Sequence, residues 1–158
     1  MNDQIQLTAE QRIKRELILR VRAGCTSPED GPLFCGAPFM DTADQIDEAW
    51  GQLAEYGEYR DWFSDVMSDF RHGEFETGLP SQSSRHYEAR EVGAALQDGT
   101  FVGWPEWYGG GKHSDPDAID WMSEAYGLEV SQKEKMVVVR TFTRKDNGET
   151  SEMADANQ

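Results

Sequence analysis

Lysine is missing from residues 15–111 of this chain, and its 15 basic residues are outnumbered by 30 acidic ones. The formal charge of -15 at pH 7 repels nucleic acid and anionic membranes and attracts basic surfaces. Direct DNA or RNA binding is therefore disfavoured, and binding to a basic protein that itself holds nucleic acid is favoured. No window approaches the ~20 apolar residues of a membrane-spanning helix. The N-terminus MNDQIQLTAEQ has no basic stretch followed by an apolar run, so no signal peptide is expected. Cysteine is scarce. Cys25 and Cys35 would pair only in an oxidising compartment, and reduced thiols in the cytoplasm are the expectation. With His72, His86 and His113 they form neither a C-x2-C nor an H-x3-H pair, so no metal or other cofactor is expected.

Aromatic residues are well represented, with five Trp, five Tyr and seven Phe, and they argue against a disordered acidic chain. A length of 158 residues fits one domain with a real core. The expected organisation is a single α+β domain over residues 1–144 and a disordered acidic tail over 145–158.

Three helices are expected first. Thr8 and Gln11 form a capping box before an apolar stripe of Ile13, Leu17, Ile18 and Val21, and Gly24 ends that helix. After an irregular segment from Cys25 to Met40, a second helix starts at Asp41 or Thr42, buries Ile46, Ala49, Trp50 and Leu53, and runs to about Tyr56. A third, from Glu58 to about Arg71, places Tyr59, Trp62, Phe63, Val66, Met67 and Phe70 on one stripe of period 3.6, with Gly73 as its cap. Beyond the Ser-rich loop the period changes, and a β-β-α-β unit with a small, mainly antiparallel sheet is predicted. Its elements are a strand from Tyr87 to Leu96, a turn at Asp98-Gly99, and a strand from Thr100 to Tyr108 with Pro105 at an edge or bulge. A helix from Asp115 to about Tyr126 and a strand from Met136 to Thr143 complete it.

Charge is unevenly spread. Residues 1–22 carry a net +2 from Arg12, Lys14, Arg15, Arg20 and Arg22 against three acids, whereas residues 41–79 hold eleven acids and two bases, a net of -9. On the third helix Glu58, Asp61, Asp65 and Asp69 fall at spacings of three, four and four, opposite the aromatic stripe. On the second, Asp44, Glu48 and Glu55 line up similarly. Such a surface either imitates a phosphate backbone and occupies a basic groove, or is the solvated face of an acidic protein. The basic first helix would dock on these acids, in the same chain or in a second copy.

The segment WPEWYGGGKH presents three glycines and Lys112, a potential anion cradle, but its spacing is not the Walker pattern and Asp115 and Asp117 follow it. Trp104, Trp107 and Tyr108 in it are core residues or a secondary partner-binding patch.

The stretch WYGGGKHSDPDAIDWM followed by MVVVRTF resembles the C-terminal part of small proteins carried by phages and plasmids, over roughly residues 87–143. In size and charge the chain is similar to the anti-restriction and anti-CRISPR inhibitors of mobile elements, several of which are DNA mimics. The resemblance implies no catalytic residues. The leading expectation is a non-enzymatic protein–protein inhibitor of a nucleic-acid-binding host defence complex. A small carboxylate-based hydrolase or nucleotide-processing enzyme, and a dimeric accessory or regulatory protein, are the alternatives, and a homodimer is compatible with each.

Overall fold

The computed structural model describes residues 6–24, 40–55, 60–112 and 115–145, without the side chains of 60–62 and 117. The irregular segment after Gly24, the expected tail beyond Lys145, Glu58 and Tyr59 lie outside the described residues.

Helix α1 spans Ala9–Ala23, and its capping box is formed as the sequence predicts. The Thr8 side chain accepts from the Gln11 N–H, and the Gln11 side chain accepts from the Thr8 N–H. Helix α2 spans Ala43–Glu55 and begins the same way, with Thr42 Oγ1 accepting from Gln45 N–H while Gln45 Oε1 accepts from the amides of Asp41 and Thr42. Each box satisfies amides that a helix start leaves without partners. Helix α3 spans Arg60–Arg71 and closes at Gly73, whose N–H reaches the Phe70 carbonyl at 2.9 Å.

Four strands follow, β1 (Phe75–Glu76), β2 (Glu88–Ala95), β3 (Phe101–Tyr108) and β4 (Tyr126–Leu128), in an antiparallel sheet of order β1-β2-β3-β4. Asp98-Gly99 turns β2 into β3, with Asp98 Oδ1 accepting from both the amide and the hydroxyl of Thr100. The α+β class, with helices before an antiparallel sheet, is as the sequence implies.

Side chains alternate across the sheet. Val92, Ala94, Leu96, Val102 and Trp104 point inward against Ile13 and Leu17 of α1, Phe70 of α3 and Trp121. A second core joins Ile18 and Val21 of α1 to Met40, Ile46 and Leu53. Pro105 is harmless. The Gly93 carbonyl faces β1, so its partner Gly103 and, two residues on, Pro105 face away from β2, and Pro105 lies beyond the last residue paired with β4.

Two expected elements differ. The helix from Asp115 is replaced by two 3₁₀ turns, Pro116–Ala118 and Met122–Glu124. Between them Trp121 is drawn into the core, 5.2 Å from the Trp104 ring and 6.3 Å from the Phe70 ring. Ile119, Met122 and Tyr126 keep the i, i+3, i+7 spacing of a helix, but Trp121 falls off that stripe, and it is Trp121 that the core buries. The strand expected from Met136 to Thr143 pairs with no other strand among the described residues, and Tyr126–Leu128 lies on the β3 edge at Phe101–Gly103 instead. A strand exists only where an edge accepts it.

Candidate functional site

Two groups of acids stand out among the described residues. In the first, each carboxylate has a basic partner. Lys14 of α1 bridges Glu10 at 2.9 Å and Asp47 of α2 at 3.3 Å. Arg12 reaches Asp98 at 3.0 Å, and Arg20 reaches Glu16 and Glu74, both at 3.1 Å. Arg90 holds Glu76 at 3.0 Å and also Glu106. Arg12, Lys14 and Arg20 of the basic helix thus dock on their own chain. Around Asp98, burial works to raise the carboxyl pKa, but hydrogen bonds from Thr100 and the Arg12 charge outweigh it and hold the group below its ordinary range. Lys14 is likewise raised, since its contacts with Glu10 and Asp47 overcome the opposing effect of burial.

The second group is Asp44, Glu48 and Glu55 on α2 and Asp65 and Asp69 on α3. All five are exposed, and none takes part in a hydrogen bond or ion pair among the described residues. Glu58 lies outside the described residues and Asp61 is placed by its backbone alone, so the α3 row is described at its C-terminal half. The amphipathic pattern dictates this placement. On α3, Val66, Met67 and Phe70 pack inward, which turns Asp65 and Asp69 to solvent. Carboxylates four residues apart on a helix repeat about every 6 Å along its axis, close to two steps of one DNA strand at about 3.4 Å each. A cavity of about 470 Å³ opens beside them, lined by Ala54 of α2, Phe63 and Met67 of α3, Arg71 and Trp121.

The aromatics of the 104–108 segment separate. Trp104 is fully buried, stacks on Phe70 at 5.1 Å and donates its indole N–H to the Arg71 carbonyl at 2.8 Å. Trp107 is nearly buried and donates to Glu124 at 2.8 Å. Those two are structural, and Tyr108 is exposed. The glycine loop has left-handed backbone at Gly109, Gly110 and Gly111. It leads into a single 3₁₀ turn rather than an α-helix, so no helix start lies there for an anion.

A polar cluster that the sequence did not signal lies at the inner end of β3. The buried Glu106 carboxylate receives Arg90 and, at 2.5 Å, His72 Nδ1. Burial pushes Glu106 up, but the hydrogen bonds and charges of Arg90 and His72 more than offset this and leave it below the ordinary range. Neighbouring Arg71 donates to the carbonyls of Trp107 at 3.0 Å and Pro116 at 2.9 Å, and burial lowers its pKa against the pull of Glu106 and Asp115. An exposed imidazole oriented by a buried carboxylate is one half of a general-base arrangement. No hydroxyl or thiol is hydrogen-bonded to His72 among the described residues, and the cluster ties α3 to β2, β3 and the first 3₁₀ turn. The strand parity of Glu106, which matches inward Val102 and Trp104, was the signal that would have found it.

Among the described residues no group of three or more His, Cys, Asp or Glu is placed to hold a metal ion, and no helix is long and apolar enough to cross a membrane. The chain matches no protein-family model, no curated protein and no solved structure.

Proposed function

We propose that the protein is a non-enzymatic inhibitor from a mobile genetic element. Its α2 and α3 carboxylates would occupy the basic groove of a nucleic-acid-binding host defence complex in the bacterial cytoplasm, in the manner of a DNA mimic. One observation carries the reading. Asp47, Asp98, Glu16, Glu74 and Glu106 have basic partners, while Asp44, Glu48, Glu55, Asp65 and Asp69, gathered on α2 and α3, have none among the described residues. Like charges four apart on a helix oppose each other by a few tenths of a kcal/mol, so an uncompensated row is a standing penalty to the isolated protein. A lysine- and arginine-lined groove would relieve it. Association steered by such a field is fast and weakens steeply with salt.

The test is competition. A basic nucleic-acid-binding protein captured from the host is loaded with labelled duplex DNA and titrated with the wild-type chain or with Asp65→Lys/Asp69→Lys. Displacement by the wild type, lost in the variant and suppressed by added salt, supports the reading. Equal potency of both chains would sink it.

A further inference from the structure

The segment after β4 stands apart from the rest of the molecule. Residues 129–145 are exposed throughout, and among them are Met136, Val137, Val138, Val139 and Phe142, with Met136 at 96% and Phe142 at 87% exposure. A contiguous apolar run of high strand propensity, held in solvent, marks an interaction segment. Its charge is also anomalous. Residues 133–145 contain five basic side chains and one acid, a net of +4, which leaves -19 on the remainder of the chain.

The same protein has an apolar surface that lacks cover among the described residues. On the sheet face turned away from the helices, Gly93 and Gly103 sit side by side, and neighbouring side chains lie over them. A methyl group added at Gly93 would meet Leu128 Cδ1 and Phe75 Cε2 at 2.9 Å, and one at Gly103 would meet the Tyr126 ring at 2.8 Å. Phe75 and Phe101 are 6.4 Å apart, ring to ring. Phe75, Phe101, Tyr126 and Leu128 therefore form a patch near the β2–β3 turn, and no helix among the described residues covers it: Phe75 is exposed and the other three are half-buried. At the opposite end of that face Ala89 and Trp107 are buried, with Glu124 bonded to Trp107.

We propose that residues 136–142 of each chain pack on this patch of a second copy, forming an arm-exchanged homodimer. Three features select a second copy as the occupant. Between Gly127 and Asp146 the chain contains no Gly, Pro, Asn or Asp, the residues that reverse a chain tightly. The arm, continuing past Leu128 beyond the β2–β3 turn, is thus poorly equipped to fold back on its own body. The charge of the body attracts a segment of net +4, whereas two such arms paired with each other would repel. Finally, reciprocal exchange closes on a twofold axis and leaves no arm uncovered. Within the arm, Met136, Val138 and Phe142 share one face of an extended strand, which is the face that meets the patch. The carboxylate rows of α2 and α3 are not part of this contact, and the dimer stands or falls independently of the inhibitor reading.

The full-length chain is examined by light scattering at tens of micromolar, together with Val138→Asp/Phe142→Asp and Phe75→Asp. A photo-crosslinker placed at position 142 is used in mixtures of isotope-labelled and unlabelled chains. The expected result is a dimer of twice 17.9 kDa, with crosslinks from position 142 to the β1–β4 patch of the other copy. Each arm substitution should raise the dissociation constant by roughly thirtyfold or more. The arm variants change only exposed residues, so their circular dichroism serves as a control for folding. A wild-type monomer, crosslinks confined to one copy, or a dimer unaffected by the arm variants would each overturn the proposal.

Discussion

Gly73 shows how much one hydrogen atom decides. Its φ of +73° lies in the left-handed region, and a Cβ there would approach Val92 Cβ to 2.6 Å. Gly78 has nearly the same φ, +71°, with nothing within 4 Å. Gly73→Ala should destabilise the protein by about 2–4 kcal/mol, backbone strain plus overpacking, whereas Gly78→Ala should cost about 1 kcal/mol for the backbone alone. Urea denaturation of the two variants reads the difference, and equal losses would mean that Val92 moves aside freely. Glu106 gives a second residue-scale outcome. Because its folded pKa is lowered, its stabilising contribution is complete above the unfolded value of about 4.3. That contribution is lost as pH falls below this, through the folded pKa. Glu106→Gln should therefore be less stable at neutral pH and lose stability more gradually than the wild type as pH falls below about 4. Parallel acid-unfolding curves would show that Arg90 and His72 do not hold the carboxylate in its charged form.

At the scale of elements, α1 was legible because its signals are local: Thr8 and Gln11 for the start, Ile13, Leu17 and Val21 for the buried face. The β2–β3 hairpin was legible for the same reason, through Asp98-Gly99. The segments beyond it were not. Met136–Thr143 has strand propensity but no pairing among the described residues, whereas Tyr126–Leu128, with little strand signal, pairs with β3 and packs Tyr126 and Leu128 over Gly103 and Gly93. The candidate site was half legible. Spacing placed Asp65 and Asp69 opposite the apolar stripe, but no local pattern tells that Asp47 meets Lys14 while Asp44 and Glu48 have no partner among the described residues. Helix α3 carries the prediction at this scale. If Asp65 and Asp69 serve a partner rather than the fold, Asp65→Lys/Asp69→Lys should leave stability unchanged or raise it by up to about 1 kcal/mol. The two lysines oppose each other as the two aspartates do, but the pair with Asp61 becomes attractive, and cations favour the C-terminal turn of a helix. A fall of more than about 1 kcal/mol in thermal or urea unfolding would assign those acids a structural role instead.

Over the whole molecule, charge is sorted by position. The basic helix α1 ties Asp47 of α2 and Asp98 of the hairpin turn into the body, the outward carboxylates of α2 and α3 face solvent, and the arm after Leu128 carries a net positive charge away from it. Fields organised in this way act on encounter with a partner rather than on the fold itself. The inhibitor reading therefore makes a kinetic claim as well as a structural one, because weakening by salt should appear chiefly in the association rate. The competition assay tests this most directly: displacement of labelled duplex DNA from a captured basic nucleic-acid-binding protein, by the wild-type chain and by Asp65→Lys/Asp69→Lys, at low and high salt. The account predicts displacement by the wild type that fades as salt rises, and at least ~10-fold weaker displacement by the variant. Displacement of equal strength by both chains, indifferent to salt, would contradict it.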